Sequence, residues 1–311
     1  GTSRFVNAVL RQVGQRDLDD WIDEVAPSPD ADPVGYLALA QSNPRWIVSA
    51  LHEALTAWQG HESWAATEAL LSADNENAAV TLVARPGRST VAELLERPGT
   101  EPGRWSPLAV RLQGGHPGEI DEVRTGAAGV QDEGSQLVAL AFARAHLVGS
   151  DARWLDLAAG PGGKAALLAG LGHERGAALL ASDRAPHRAG LVARTLTDAP
   201  GRHLVMAADA TAPPWRAGSF DRVLLDAPCT GLGVLRRRPE ARWRRNEQDV
   251  RDLTVLQTRL LESAIAAARV GGIVGYATCS PHPAETTDIV EAAVGSGATS
   301  GLRLERLDVR D

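Results

Sequence analysis

The sequence predicts an α/β protein whose largest part is a parallel sheet, with a smaller α/β module and a helical segment in front of it. From about residue 130 onward, short apolar runs alternate with helical patterns, which is typical of parallel strands joined by right-handed crossovers. The first of these runs ends in a glycine-rich turn, and the next three each end at an aspartate. These features indicate an open sheet with polar groups collected along one edge.

The predicted elements divide the 311-residue chain into three domains. Residues 1–33 combine an amphipathic helix at 5–25 with a proline-rich linker at 27–33. Residues 34–128 contain helices and short strands, which predict a small central α/β module, and residues 129–311 form the parallel-sheet domain. The module is predicted to have two helices within 44–72, strands at 79–84 and 107–112, and a helix at 90–95. The predicted strands of the last domain lie at 153–157, 178–182, 203–207, 220–225 and 272–276, and its helices at 136–146, 165–171, 185–197, 250–268 and 285–293.

Composition excludes several classes of protein. Apolar residues make up 44% and charged residues 23% of the chain, as in ordinary globular proteins. No apolar run approaches the ~20 residues of a membrane span, and no signal peptide precedes the first helix. With two cysteines, we expect a reduced cytoplasmic protein, although a disulfide between them stays an alternative. We expect a monomer without a metal ion. A net charge of −7 argues against non-specific coating of nucleic acid but allows a local basic surface.

The glycine-rich turn at residues 156–164 brings backbone close to a ligand at a helix N-terminus. It does not match a P-loop, because Ala158 and Ala165 occupy decisive positions, and it lacks the dinucleotide glycine spacing. Asp183 ends the next strand about 20 residues later, where an acidic residue commonly accepts ribose hydroxyls. A nucleoside ligand without phosphates indicates S-adenosylmethionine. Asp209 ends the third strand, and helix capping is the alternative role for both aspartates.

Each cysteine follows a predicted strand. Cys229 lies in the segment 226–231, which begins at Asp226, and Cys279 lies in the segment 276–281. The first segment lacks the pattern of enzymes that methylate exocyclic nitrogens. A thiolate that adds to carbon 6 of a pyrimidine makes carbon 5 nucleophilic enough to accept a methyl group. Asp226 and the single lysine of the chain, Lys164, supply a carboxyl group and a positive charge. The alternative is that the cysteines are small buried apolar residues.

Six arginines occupy the ten positions 236–245, directly after the Cys229 segment. Arginines that neutralise phosphates provide much of the sequence-independent affinity for nucleic acid, and an aromatic ring can stack on a base. We therefore predict an RNA contact surface, with a solvated charged loop as the alternative. The predicted RNA-binding residues are Arg236, Arg237, Arg238, Arg242 and Trp243.

These motifs resemble those of the RNA (cytosine-5-)-methyltransferases of the Sun/Nop2 family. The resemblance extends over nearly the whole chain, and within the family it is strongest to the bacterial enzymes that act on 16S rRNA. It rests on residues 156–164, 224–231 and 276–280, supported by 4–11, 43–46, 130–137 and 236–243. The family implies a Rossmann-like fold and identifies residues 1–33 as the remnant of a NusB-like helical domain with its linker.

The resemblance also implies a role for each matching residue. Cys279 would be the nucleophile, Cys229 would assist release of the methylated base, and Asp226 would hold the cytosine ring beside Lys164. The implied residues that bind S-adenosylmethionine are Ala158, Ala159, Gly160, Pro161, Gly162, Gly163, Lys164, Asp183, Arg188, Asp209 and Asp226. Ala158 and Gly160 depart from the usual family loop, and we expect both changes to be harmless. Methylation of tRNA, or RNA binding without catalysis during ribosome assembly, are alternatives that the motifs leave open.

Overall fold

The computed structural model of the protein describes residues 2–295 and 303–307. The helices are α1 Thr2–Val13, α2 Leu18–Val25, α3 Pro33–Ala40, α4 Arg45–Gln59, α5 Trp64–Asn75, α6 Val91–Leu95, α7 Asp121–Arg124, α8 Glu133–Arg144, α9 Gly163–Glu174, α10 Pro186–Thr195, α11 Ala241–Arg244, α12 Glu247–Ala267 and α13 Thr287–Gly295. The strands are β1 Val80–Ala84, β2 Thr100–Pro102, β3 Ala109–Leu112, β4 Ala128–Val130, β5 Arg153–Asp156, β6 Ala178–Asp183, β7 Arg202–Ala207, β8 Phe220–Asp226 and β9 Ala268–Ala277.

Two units make up this fold. The first contains residues 1–77, 231–249 and 280–283, and the second contains residues 78–230, 250–279 and 284–311. The predicted three-domain division at 33/34 and 128/129 stays a prediction, and the two units divide the chain at other points. The first unit is therefore built from distant parts of the sequence, which no linear division of the chain can express.

The first unit is helical. The prediction of one helix over residues 5–25 is wrong, because α1 ends at Val13 and α2 begins at Leu18. Gly14 weakens helix continuation, and the side chain of Asp17 caps α2 by accepting from the backbone N–H of Asp20. Helix α3 was not predicted, and it begins at Pro33 with Asp32 as its cap. The apolar core of this unit lies among α3, α4, α5 and the segment after residue 231, and its fully buried members include Ile47, Leu51, Leu71, Leu232 and Leu235.

The second unit contains two sheets. The smaller is antiparallel with strand order β2-β3-β1-β4. Strands β2 and β4 were not predicted, because three-residue strands are too short to show an alternating pattern. Helix α6 packs beside this sheet and starts with a reciprocal capping box between Thr90 and Glu93.

The larger sheet is parallel, with strand order β7-β6-β5-β8-β9. This arrangement confirms the predicted α/β fold. Side chains alternate across β5, so that Trp154 belongs to the apolar core on one face and Leu155 to the core on the other face. The order of the strands reverses between β5 and β8, and ligands of open α/β sheets bind beyond the carboxyl ends of the strands at such a reversal. Asp156 and Asp226 end these two strands.

Candidate active site

The two cysteines meet at the carboxyl edge of the parallel sheet. Strands β8 and β9 are parallel neighbours with Asp226 opposite Ala277, so the segments that follow them start side by side. The Sγ atoms of Cys229 and Cys279 are 3.2 Å apart. Both cysteines are free thiols, and the separation exceeds the ~2.05 Å of a disulfide bond. The predicted pairing of two thiols at one edge follows directly from the register of these strands.

The two thiols differ in their ionisation. The hydrogen bond from the Cys229 thiol lowers the pKa of Cys279 to about 7, and the positive charge of Lys164 acts in the same direction against burial and Asp226. The same hydrogen bond, together with burial, raises the pKa of Cys229. Cys279 is also the more exposed thiol of the two. The arrangement therefore places the thiolate on Cys279, and thiolates are the nucleophilic form of cysteine.

Lys164 lies in the first turn of α9, directly after the glycine-rich turn. Its Nζ donates to Oδ2 of Asp226 at 2.7 Å, and most of the lysine side chain is shielded from solvent. A part-buried ion pair of this kind keeps both side chains in one orientation. The predicted set of Lys164, Asp226, Cys229 and Cys279 thus consists of one ion pair and one thiol pair in the same region of the sheet edge.

A buried glutamate fixes the loop that carries Cys229. Glu285 is completely buried, and its carboxylate accepts from the backbone N–H of Thr230 at 2.9 Å and from the Thr230 hydroxyl. Gln257 on α12 donates to the same carboxylate at 3.1 Å and to the carbonyl of Pro228 at 2.9 Å. The residues on both sides of Cys229 are therefore held by one buried network.

Tyr276 extends this network to the other thiol strand. Its hydroxyl donates to the backbone carbonyl of Glu285 at 2.8 Å, and Tyr276 lies three positions before Cys279 at the end of β9. Burial, with the charge of Glu285, raises the pKa of Tyr276. The sequence analysis did not assign a role to Glu285, Gln257 or Tyr276. The only available clue was an acidic residue shortly after Ser280, because the partners of that residue come from distant parts of the chain.

The glycine-rich turn is held against the end of β6. The backbone N–H of Gly160 donates to Oδ2 of Asp183 at 3.0 Å, and Arg188 pairs with the same oxygen at 3.2 Å while it donates to the carbonyl of Gly160. A Cβ atom at Gly160 would lie 2.4 Å from that oxygen, so the close approach requires glycine. The next glycine, Gly162, has φ of +114° and starts α9. The structure thus brings together the predicted residues Gly160, Asp183 and Arg188.

Asp156 is a site residue that the sequence analysis missed. Its side chain is fully buried at the end of β5. Burial, reinforced by the negative charge of Asp226, raises the pKa of Asp156 to about 7, and the charge of Lys164 and the backbone N–H of Ala158 offset this only in part. A buried carboxyl group with so little compensation is costly, which makes this group a candidate for contact with a bound ligand. Its position as the first residue of the glycine-rich turn was the available clue.

Asp209 has a more local environment. Its carboxylate accepts from the hydroxyl of Thr211 at 2.7 Å and from the backbone N–H of Thr211 at 2.9 Å, and both bonds lower the pKa of Asp209. Arg184 lies 3.4 Å from its other oxygen. These contacts order the loop after β7, as expected of an aspartate in a turn. The predicted contact of Asp209 with a cofactor stays a prediction.

The arginine loop, residues 236–243, belongs to the first unit. Arg242 is only 4% exposed, and its guanidinium donates to Oδ1 of Asn75 at 2.7 Å and to the carbonyl of Asp74 at 3.0 Å. These bonds satisfy groups at the C-terminus of α5. Its two Nη atoms are thus directed into its own unit, and the predicted contact of Arg242 with RNA stays a prediction.

The remaining members of the arginine loop are exposed. Arg236 donates to the carbonyl of Asn77 at 2.9 Å and lies 3.3 Å from the carboxylate of Glu76. Arg237 and Arg238 are exposed, and the Trp243 ring is 65% exposed. An aromatic ring so open to solvent can stack on a base. RNA binding by these residues stays a prediction.

Two features are absent from residues 2–295 and 303–307. None of the helices there is long and apolar enough to cross a bilayer. No group of three or more potential metal ligands occurs among residues 2–295 and 303–307.

Comparison with known proteins identifies relatives over most of the chain. A Mycobacterium tuberculosis protein (strain H37Rv) named "Putative methyltransferase Rv1407" is 51% identical over 297 residues, which cover 93% of this chain and 62% of that protein. "Ribosomal RNA small subunit methyltransferase B" of Pseudomonas syringae pv. tomato is 33% identical over 307 residues, covering 96% of this chain and 63% of that protein. The chain thus spans less than two thirds of the length of these relatives.

A solved structure and a family model agree with these relatives. The crystal structure of PH0851 superposes with a TM-score of 0.74 at 25% identity, and the match covers 89% of this chain and 62% of that one. The family model described as 16S rRNA methyltransferase RsmB/F matches residues 147–308. These matches confirm the resemblance and the Rossmann-like fold, and a family of S-adenosylmethionine-dependent methyltransferases confirms the predicted cofactor. The chain belongs to the RsmB/F family of methyltransferases.

Proposed function

We propose that the protein methylates carbon 5 of a cytosine in 16S rRNA, with S-adenosylmethionine as methyl donor and a covalent adduct between Cys279 and the base. The observation that carries the proposal is the pair of free thiols 3.2 Å apart at the carboxyl edge of the sheet. Methylation of an exocyclic nitrogen or of a hydroxyl needs no covalent thiol. Addition to carbon 6 of a pyrimidine needs one, and the release of the product gives a purpose to the second.

The residues around the glycine-rich turn fit S-adenosylmethionine. The turn allows close approach of backbone, because a side chain at Gly160 would collide with Asp183. Asp183 and Arg188 would hold the nucleoside part, and the buried carboxyl group of Asp156 would accept from the ligand's amino group. When bound, S-adenosylmethionine would supply an electrophilic methyl group to carbon 5, and the bond from that methyl group to the sulfonium sulfur would break to leave S-adenosylhomocysteine. Ala158, Ala159, Pro161, Gly163, Lys164, Asp209 and Asp226 complete the proposed binding set.

Cys279 begins the proposed reaction as a thiolate. Its sulfur attacks carbon 6 of the cytosine, a carbon–sulfur bond forms, and the electron pair of the double bond between carbons 5 and 6 moves so that carbon 5 becomes nucleophilic. The lowered pKa of Cys279, about 7, keeps a substantial fraction of the nucleophile ionised at neutral pH. Asp226, oriented by Lys164 at 2.7 Å, would bind the polar edge of the ring and stabilise the charge that develops there.

Release of the product reverses the addition. The proton on carbon 5 is lost to a base, the double bond between carbons 5 and 6 re-forms, and the bond between carbon 6 and the Cys279 sulfur breaks. Cys229 lies 3.2 Å from the departing sulfur. Its raised pKa makes it a thiol that can donate a hydrogen bond to the leaving thiolate and stabilise it. This step assigns assistance in release to Cys229 and nucleophilic attack to Cys279.

The RNA assignment rests on the family and on the arginine loop. The family is described as acting on 16S rRNA, and the Pseudomonas relative is named as a small subunit ribosomal RNA methyltransferase. Arg236, Arg237, Arg238 and Trp243 would contact the phosphates and a base of the RNA. Transfer RNA is the alternative substrate, and binding without methylation during ribosome assembly is the alternative function.

The test is transfer of radiolabelled methyl groups from S-adenosylmethionine to unmodified 16S rRNA and, in parallel, to unmodified tRNA. The expected result is label in 5-methylcytosine of the rRNA alone, which nucleoside digestion and chromatography identify. Label in tRNA alone would overturn the rRNA substrate but keep the chemistry. Label in another modified nucleoside would overturn the carbon-5 mechanism, and binding of RNA without any label would leave the assembly function.

A further inference from the structure

A cavity of about 430 Å³ lies in the second unit beside the small antiparallel sheet. Its walls come from the end of β1, the end of α7, strand β4, the end of α10 and the turn that follows α10. Four arginines line it, Arg85, Arg88, Arg124 and Arg194, against one acidic lining residue, Asp198. The chain as a whole carries a net charge of −7, so this concentration of positive charge is a local feature of the fold.

Arg85 is more buried than the other three arginines, and the described residues provide no anionic partner for it. Its Nη1 donates to the carbonyl of Gly126 at 2.9 Å, while its buried Nε has no hydrogen-bond partner among the described residues. Burial, with the nearby charge of Arg88, lowers the pKa of Arg85. Arg222 provides a contrast, since this buried arginine pairs with the carboxylate of Asp151 at 2.7 Å. Buried charges are normally paired, and Arg85 is paired only with carbonyl oxygens.

The other three arginines add charge without neutralising it. Arg88 donates to the carbonyls of Asp198 and Thr125, and the mostly exposed carboxylate of Asp198 is 3.9 Å away. Arg124 pairs with Asp121 at 2.8 Å on the surface. For Arg194, the described residues provide no ion pair. The four guanidinium groups thus face two carboxylates, that of Asp198 in the lining and that of Asp121 beside Arg124 on the surface. An anion bound in the cavity would neutralise the remaining positive charge.

We propose that this cavity binds a phosphate group in the backbone of the RNA substrate. Guanidinium groups donate in a fork geometry that matches phosphate oxygens, and an arginine cluster is the usual protein surface for a phosphodiester. The cavity wall also contacts the glycine-rich turn, because the hydroxyl of Thr195 donates to the carbonyl of Pro161 at 3.3 Å. An RNA strand bound in the cavity would lie beside that turn. The inference rests on the proposed function, since it takes RNA as the substrate.

The test compares two double variants of the whole chain that remove the same charge. Arg124→Gln with Arg194→Gln changes two exposed residues that line the cavity, and Arg202→Gln with Arg216→Gln changes two exposed residues elsewhere in the same unit. RNA affinity is measured by fluorescence anisotropy over a series of salt concentrations. The cavity variant is expected to lower the slope of log affinity against log salt by about one to two and to weaken binding about tenfold. In the control variant, the changes in the salt slope and in the RNA affinity are expected to be less than half as large.

Three outcomes decide the inference. Equal losses in the two variants would overturn it, because only general charge would then matter. Inorganic phosphate could instead raise the thermal unfolding temperature of the wild type but not of the cavity variant, while the cavity variant keeps its RNA affinity. That result would identify a site for free anions and overturn the assignment to RNA. A selective loss of RNA affinity supports the cavity site. Methyl transfer by the wild type is measured separately, so a protein that binds RNA here but methylates none keeps this inference and loses the proposed function.

Discussion

Two regions have an unusual concentration of reactive or charged groups in the sequence. One is the thiol edge, formed by Asp226, Cys229 and Cys279, and the other is the arginine loop, residues 236–243. The two regions differ in whether the predicted side chains lie together in the structure. At the thiol edge the predicted residues come together, with sulfur atoms 3.2 Å apart. In the arginine loop, Arg242 is buried and its donors bind the end of α5.

The difference has a topological reason. The carboxyl ends of parallel strands always meet at one edge of a sheet, so residues placed there by sequence converge regardless of details. A loop outside the sheet has no such constraint, and a long cationic side chain can bind any carbonyl within its reach. Sequence position therefore predicts chemistry better at a sheet edge than in an arginine-rich loop. Four experiments on variants of these two regions test that comparison, in order of expected effect.

The largest effects are expected at the thiols. Cys279→Ala removes the nucleophile, so methyl transfer should fall at least about 10³-fold and no protein–RNA adduct should form. Cys229→Ala should make attack at pH 7 slower, because the pKa of Cys279 rises, and should slow release further, so an adduct resistant to denaturing electrophoresis should accumulate. The double variant controls for adducts through other residues. Methylation by Cys279→Ala at the wild-type rate would exclude the proposed roles of the two cysteines. Sequence position would then predict function no better at the thiol edge than in the arginine loop.

A pH titration tests why Cys279 is the nucleophile. The thiolate fraction rises as pH passes the pKa, so alkylation of Cys279 by iodoacetamide should increase with a midpoint near pH 7. Cys229→Ala removes the hydrogen bond that is the main cause of the lowered pKa. The midpoint should then move up toward the ordinary value of 9.0, which reduces reactivity at pH 7 about 50-fold. Peptide mass spectrometry measures each thiol separately, and an unchanged midpoint would contradict the assignment.

The buried network should have an intermediate effect. Glu285→Gln weakens the bonds to Thr230 and Gln257, and loss of a charged hydrogen bond costs about 1.5–3 kcal/mol. Because the network positions the Cys229 loop, kcat should fall about tenfold with little change in the KM for RNA. Glu291→Gln, on the exposed face of α13, is the matched control. An altered KM with unchanged kcat would show that Glu285 does not position the thiol.

The smallest effects are expected in the arginine loop, and they should separate two of its members. Arg242→Ala leaves carbonyl groups at the end of α5 without their donors, so the free energy of unfolding should fall by about 2 kcal/mol. Arg238→Ala should change the free energy of unfolding by less than about 0.5 kcal/mol, while RNA affinity decreases a few-fold and its salt slope falls by about one. Urea unfolding and anisotropy distinguish these results. Equal unfolding energies for the two variants would contradict the structural role of Arg242.

Much of the fold followed from local patterns in the sequence. The five strands of the parallel sheet and helices α9, α10 and α12 were predicted because buried apolar runs and helical stripes repeat clearly after residue 130, whereas the short helix α11 was not predicted. The errors lie where local signals are weak. Strands β2 and β4 have three residues each, and α1 and α2 have one continuous apolar stripe that is interrupted only by Gly14 and the cap at Asp17.

The candidate site was predicted in outline and completed by the structure. Asp183, chosen because it ends β6, and Arg188, implied by the family resemblance, both contact the glycine turn. Asp156 was missed because its complete burial beside Asp226, which raises its pKa, is a property of the folded interior. Glu285 was missed because its donors, Thr230 and Gln257, are 55 and 28 residues away in sequence.

The sequence by itself determined the order of the strands of the parallel sheet, the glycine turn, and the two thiols that follow β8 and β9. These features are local in the sequence. Because the strands are parallel, the segments that follow them lie at one edge of the sheet. Only the tertiary structure decided which charges are neutralised. Arg222 has the carboxylate of Asp151 as a partner, whereas Arg242 and Arg85 donate to carbonyl oxygens among the described residues. The ionisation and availability of a charged group depend on burial and on partners distant in the chain, which only the folded structure brings together.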